Sequence, residues 1–272
     1  MATVARSIPR AAVRQRPRVP DRLLPWLGVL AVLVLFELVS RSGLIDSHYF
    51  PPVSQMFRAL WDQLGEQSFW SAVGDTMEGW ALGLGIAAVL AIPIGIVVGS
   101  SMLSYRALRG VIEFLRPIPS VALIPLAVLV YGTGLQSKVF LAVYAAFWPI
   151  LMQALYGVQD VDPVAMDTAR SFGFGRFERL RRVTLPSALP YVATGLRISA
   201  AVSLILVVTA ELVIGAPGLG REINVARQGG ATDLMYGLII ATGLLGWLIN
   251  AVFVRLERRA LHWHPSYRKA AT

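Results

Sequence analysis

Gly132-Thr133-Gly134-Leu135-Gln136-Ser137-Lys138-Val139 is the nearest approach in this chain to a phosphate-binding loop. Such a loop needs glycine before the lysine, so that the backbone can wrap phosphate, and serine or threonine after it for magnesium. Ser137 and Val139 hold those positions, so the segment carries no nucleotide chemistry. Of the three histidines, His48 stands alone, and His262 and His264 lie two residues apart, where a helix would turn them to different faces. They make no metal site. With zero cysteines there is no thiol chemistry and no disulfide, and no paired acid and base with a pocket emerges. The charges that stand out are Glu37, Arg197 and Glu211, each lodged in or beside a long apolar run. In a membrane such charges are costly and default to functional candidates. Glu211 fits either a polar path through the apolar runs, or its outer end, or a structural hydrogen bond between helices. Glu37 fits an interfacial position. Arg197 fits a structural role or the inward mouth, with its head snorkelling to the interface.

A second constellation is polar and basic. Asp162-Pro163-Val164-Ala165-Met166-Asp167-Thr168-Ala169-Arg170-Ser171-Phe172-Gly173 lies between two long apolar runs. Asp162 is a good helix N-cap, and Pro163 suits the first helical position, where no intrahelical N–H bond is lost. Gly173 is the natural left-handed residue to end such a helix. Beyond the Gly173-Phe174-Gly175 joint, Phe174, Phe177, Leu180 and Val183 recur every third residue, with Arg176, Arg179, Arg181 and Arg182 between them. That spacing predicts a second amphipathic helix with a narrow apolar stripe, stopped by Pro186.

These residues carry a resemblance. The pattern Glu-Ala-Ala, three residues, Gly, nine residues, Ile, one residue, Leu-Pro is the loop signature of bacterial ABC importer permeases. Here it stands as Asp167-Thr168-Ala169, Gly173, Val183 and Leu185-Pro186, with every spacing kept. Asp for Glu, Thr for the first Ala and Val for Ile are mild departures. The wider chain, from about Leu24 to His264, resembles the nitrate, taurine and aliphatic-sulfonate subgroup. Phe50-Pro51-Pro52-Val53, Arg116-Pro117-Ile118-Pro119, Ala122-Leu123-Ile124-Pro125, Tyr131-Gly132-Thr133-Gly134 with Ser137-Lys138, Phe147-Trp148-Pro149-Ile150 and Leu189-Pro190 with Gly195-Leu196-Arg197 carry that likeness, with Glu211 and Gly218-Leu219-Gly220. Met77-Glu78-Gly79 departs from it, since many relatives have a basic residue there. The resemblance implies an all-α polytopic bundle with a coupling helix, working as a homodimer with two copies of a cytoplasmic ATPase and an external or periplasmic solute-binding protein. Asp167, Thr168, Ala169, Arg170, Gly173, Leu185 and Pro186 would couple the permease to the ATPase. ATP would be used by that partner, leaving this chain without a cofactor. The implied solute is small and anionic, with a pyrimidine-type vitamin precursor as the alternative.

Composition sets the class independently. A 272-residue chain that is 56% hydrophobic and only 15% charged, with a mean hydropathy of +0.61, is no ordinary soluble domain. Six apolar runs approach the ~20 residues that span a bilayer: Leu24–Val39, Trp80–Val98, Val111–Tyr131, Val139–Val158, Tyr191–Ile214 and Leu234–Val254. The third is interrupted by Glu113, Arg116, Pro117, Pro119 and Pro125, which predicts a kinked span. With the N-terminus in the cytoplasm, the tail, the loops bearing Arg106 to Arg116 and Arg170 to Arg197, and the C-terminal end collect most of the 25 lysines and arginines. Only Arg41, Arg58, Lys138, Arg221 and Arg227 fall outside, so the positive-inside rule puts both termini in the cytoplasm, and the resemblance implies that the membrane is a bacterial inner membrane. The net charge of +9 then serves orientation and inner-leaflet attraction, not nucleic-acid binding. Residues 1–22 read as a flexible basic tail, 23–264 as the permease domain and 265–272 as a short cytoplasmic tail, with Trp263 an interfacial anchor. Met56, Leu60, Trp61 and Leu64 share one helical face in the longest external segment, which packs on the spans or lies along the membrane surface. Pro93, Gly95 and Gly99 fit a kink and close helix packing. An ion-driven carrier would explain the spans but not the capped polar helix, and no inverted repeat is visible.

Overall fold

The computed structural model describes residues 23–262. The two tails, Trp263 and His264 lie outside the described residues. Every regular element among those described is helical. The chain divides into two units, residues 1–55 and 56–272.

In the first unit, α1 (Leu24–Arg41) is apolar along its length and exposes nearly all of it, as a lipid-facing span does. Glu37 lies in its last turns and is held by polar partners. Its carboxylate accepts from Arg41 Nε at 2.6 Å, Ser54 Oγ at 2.8 Å and the Ser54 amide at 3.0 Å. The last of these satisfies a free N–H in the first turn of α2 (Val53–Gln63).

The second unit is built on three long helices: α3 (Gln67–Ser100), α6 (Leu135–Gln159) and α9 (Leu185–Ile214). Lipid gives no hydrophobic drive between helices, so small residues that admit close backbone approach must supply the packing. Gly79, Gly83, Gly95 and Gly99 do this on α3. A Cβ on Gly83 would come 2.3 Å from the Ala142 Cβ, and one on Gly95 would come 2.8 Å from the Leu151 carbonyl oxygen. Gly157 and Gly195 repeat the arrangement between α6 and α9. Ser199 Oγ adds a bond to the Ala146 carbonyl at 2.8 Å. The Pro93–Gly99 region is therefore packing. α3 starts well before the apolar run at Trp80, because its polar first turns are held by partners on other helices.

The interrupted third span is a broken pair. α4 (Met102–Leu115) ends at Arg116-Pro117, a 3₁₀ turn covers Ser120–Leu123, and α5 (Ile124–Tyr131) follows, with 79° between the halves. Among the described residues five helices are long and apolar enough to cross a membrane, six if this pair counts as one span. Tyr144 of α6 donates to the Leu115 carbonyl at 2.8 Å. The break thus lies level with the central part of α6, and Arg116 is not at the loop end where its charge was counted.

α7 (Pro163–Ser171), α8 (Arg176–Arg179) and a π turn (Leu180–Thr184) lead into α9. Pro186 does not stop this helix. It sits in the first turn of α9, and the π turn lets the Leu185 amide reach back to the Leu180 carbonyl. The wider turn spares the helix the clash a proline makes with the carbonyl four residues earlier. α10 (Leu219–Gln228) and α11 (Thr232–Ala260) complete the unit. The face of α2 from Met56 onward packs inward: Met56 and Leu60 are buried, and Gly237 of α11 admits their backbone. Trp61, expected on the same face, is exposed.

Candidate functional site

At one end of the bundle α7 stands as a short helix tied at both ends. The Asp162 carboxylate accepts from the Val164 amide at 2.8 Å, and Pro163 occupies the first turn. At the other end Gly173 takes φ +77°. Its amide donates to the Arg170 carbonyl at 2.9 Å, and the Phe174 amide to the Ala169 carbonyl at 3.0 Å. This pair of bonds is a Schellman closure, which leaves few carbonyls free. Phe174 is therefore part of the cap and not of the next helix, a correction to the expected apolar stripe.

The motif residues divide by what they touch. Ala169 is buried against the bundle. Asp167 and Arg170 pair on the exposed side at 2.8 Å, and the Thr168 hydroxyl is turned back to the Val164 carbonyl at 2.7 Å. Leu185 and Pro186 lie further along, in the first turn of α9. The sequence brings Asp167, Thr168, Arg170 and Gly173 to one exposed helix, while Leu185 and Pro186 belong to its support. Val164, Phe172 and Phe177 are 72%, 76% and 75% exposed on this polar hairpin. Arg179 holds the Phe174 carbonyl, Arg182 lies over its ring at 5.4 Å, and Glu178 pairs with Arg182. These contacts brace the joint after α7 against α8 and the π turn.

Glu211 lies near the opposite end, with 0% of its surface exposed. Its partner is Lys138, 2% exposed, at 3.0 Å. Lys138 spends its three donors on the Asp75 carbonyl at 2.6 Å, the Pro217 carbonyl at 2.8 Å and Glu211. The other Glu211 oxygen accepts from Thr76 Oγ1 at 2.9 Å and the Gly220 amide at 3.1 Å. Thr76 Oγ1 in turn accepts from the Leu219 amide at 2.9 Å. Every charge is matched, as a low-dielectric interior requires. The knot joins α3, α6, α9 and the start of α10. Gly79, Gly218 and Gly220 make room for it: a Cβ on Gly218 would lie 2.1 Å from the Glu211 carboxyl. Glu211 thus makes the interhelical hydrogen bonds that were one of its two readings. In the sequence Lys138 stands in the segment that imitates a phosphate loop, and nothing local names its partner. The signal that finds it is simple: a lone cation one turn inside an apolar run needs a lone anion.

Arg197 pairs with Glu257 of α11 at 3.2 Å, joining α9 to α11 near the hairpin end. Among the described residues no cluster of His, Asp or Glu could hold a metal ion.

A bundle of apolar helices with a capped polar hairpin at one end has the form of a membrane transport subunit. Residues 91–260 match the family described as "binding-protein-dependent transport system inner membrane component", and the chain belongs to that family. It is 35% identical to the taurine transport system permease protein TauC of Escherichia coli, over 88% of this chain and 89% of that one. It is 31% identical to the nitrate import permease protein NrtB of Leptolyngbya laminosa, over 68% and 66%. To the bicarbonate transport system permease protein CmpB of Synechococcus elongatus it is 28% identical, over 93% and 94%. The fold matches that of an amino acid ABC transporter crystallised with histidines, with a TM-score of 0.62 and 20% identity over 75% of this chain and 98% of that one. A chain of a bacterial alginate ABC transporter, solved in complex with an oligosaccharide-bound periplasmic protein, gives the same TM-score at 14% identity, over 88% and 96%. The chain is a multi-pass ABC permease subunit, not itself an enzyme.

Proposed function

We propose that this chain forms the translocation pathway of an importer for a small oxyanion of the taurine, sulfonate, nitrate or bicarbonate kind. In this reading two copies of the permease work with two copies of a cytoplasmic ATPase and an external solute-binding protein, with both termini in the cytoplasm. The observation that carries the coupling assignment is α7: capped by Asp162, closed at Gly173, and bearing bare Val164 and Phe172. A helix fixed at both ends transmits a rigid-body push, whereas a loose loop would dissipate it. Asp167, Thr168, Arg170 and Gly173 would meet the ATPase; Ala169, expected among them, is buried and would support α7 from beneath, and Leu185-Pro186 would pass its motion into α9. The hairpin joins α9 without a break from Arg176 to Ile214. Closure of the ATPase pair on ATP would then swing α9, and with it α11 through Arg197–Glu257, between inward- and outward-facing arrangements. Glu211 and Lys138 would hold the other end of α9 as a pivot, with Glu211 contributing to the pathway only by fixing the outer gate in place.

The test is purification of a tagged chain from its native membrane, with mass spectrometry of what accompanies it. The expected companion is an ABC-type ATPase. Recovery of the chain alone, still active in ion-driven uptake without ATP, would replace this reading with that of a secondary carrier.

A further inference from the structure

The break in the third span leaves a recess of about 480 Å³ against α6. Tyr105, Arg109, Glu113 and Arg116 line it from α4, and Met152 and Tyr156 from α6. On α4 these residues fall at i, i+4, i+8 and i+11, one helical face. The flanking Leu108, Val111 and Phe114 are exposed and apolar. A membrane helix with apolar flanks and one polar stripe presents that stripe to water or to a polar solute, not to lipid. Charge along the stripe is unbalanced: Arg109 pairs with Glu113 at 2.7 Å, which leaves Arg116 as the net cation. Among the described residues its guanidinium has neither an ion-pair nor a hydrogen-bond partner. By the Tyr144–Leu115 bond it stands level with the central part of α6. On the same face of α6, one turn from both Tyr144 and Met152, the buried indole N–H of Trp148 has no acceptor. Buried donors in proteins are almost always paired, and a charged donor deep in a membrane even more so. Trp148 is not among the residues that line the recess, so Arg116 is the donor there without a protein acceptor, and it fits a ligand rich in oxygen acceptors.

We infer that this recess is the site where the transported oxyanion is held inside the permease, with Arg116 as its principal ligand. Guanidinium offers a planar fork that suits sulfonate, nitrate or carbonate oxygens. Discontinuous helices near mid-membrane are where transporters commonly build such sites. The Arg109–Glu113 pair and Tyr105 would form the polar lining between this site and the hairpin end. The inference rests on the oxyanion-importer reading, and its test separates the two.

The complex of this chain with its ATPase and binding protein, in liposomes, is assayed for ATP-driven uptake of taurine, nitrate and bicarbonate. Arg116→Gln should lower uptake about tenfold or more, the scale of one lost charge-assisted hydrogen bond, while Arg116→Lys keeps a larger share. The chain has no native cysteine, so Arg116→Cys and Val111→Cys can be labelled singly with an anionic methanethiosulfonate. The Arg116→Cys chain should react with it; the lipid-facing Val111→Cys chain should not. Normal uptake by Arg116→Gln, or equal labelling of the two cysteine variants, would overturn the inference. Wild-type liposomes that import none of the three anions would instead remove the oxyanion reading, and the labelling contrast would still decide whether the recess is on an aqueous path.

Discussion

Glu211 and Lys138 are worth more as a pair than either is alone. Removing one partner of a buried pair leaves an uncompensated charge and costs about 3–5 kcal/mol, whereas replacing both with apolar residues of similar volume is often neutral. Lys138→Met should therefore lower the detergent-solubilised melting temperature sharply, and Lys138→Met with Glu211→Leu should recover most of the loss. Thermal unfolding followed by tryptophan fluorescence checks this; equal damage in single and double variants would deny the pairing its role. Gly173 is a residue of a different kind. Nothing lies within 4 Å of an added Cβ there, but φ is +77°, so a β-branched side chain is strained by about 1–2 kcal/mol with no contact to blame. Gly173→Val should frayed-end the Schellman closure, leave membrane levels unchanged and abolish ATP-driven uptake. Uptake at the wild-type rate would remove Gly173 from the coupling assignment.

The π turn between α8 and α9 sets the angular phase of the hairpin relative to the span. Deleting Arg181 would convert Leu180–Thr184 to ordinary α-helix and rotate everything before it by about 100°. The expected result is a folded, membrane-inserted chain whose ATPase still hydrolyses ATP but no longer drives uptake, read by comparing hydrolysis with transport in the same liposomes. On α3, Gly83→Ala should be destabilising by about 1–3 kcal/mol through overpacking against Ala142. Gly85→Ala, with nothing within 4 Å of the new Cβ, should be harmless. The contrast in melting temperature between these two glycines tests the packing of α3 on α6. These elements also show where sequence suffices. Asp162, Pro163 and Gly173 announce α7 because a cap acts within four residues. Interrupted hydrophobicity announces the broken span for the same reason. Pro186 misleads, because the extra residue that rescues the helix is accommodated by tertiary packing and has no local signature. The partners Lys138 and Glu211 are 73 residues apart, and the depth of Arg116 follows from one bond, Tyr144 to Leu115. Neither has a local periodicity to betray it.

At the scale of the whole molecule, the chain exposes α1, the outer faces of α3 and α11, and the apolar tips of the hairpin. Lipid accounts for the helices but not for Val164 and Phe172, which stand on a polar projection. Native mass spectrometry of the purified transporter should give two permeases with two ATPases, and Val164→Asp with Phe172→Asp should dissociate the ATPase while leaving the permease in the membrane. Retention of the ATPase by that double variant would move the docking surface elsewhere. The buried ion pair also has a history in time. Lys138 enters the membrane with α6 while Glu211 is still unmade, and at ordinary synthesis rates 73 residues take roughly 4–15 s to follow. Throughout that interval a lysine waits in the insertion machinery for a carboxylate, so α6 should be retained beside the translocon until α9 arrives, and a nascent chain stalled before residue 211 should be the one that quality-control proteases destroy.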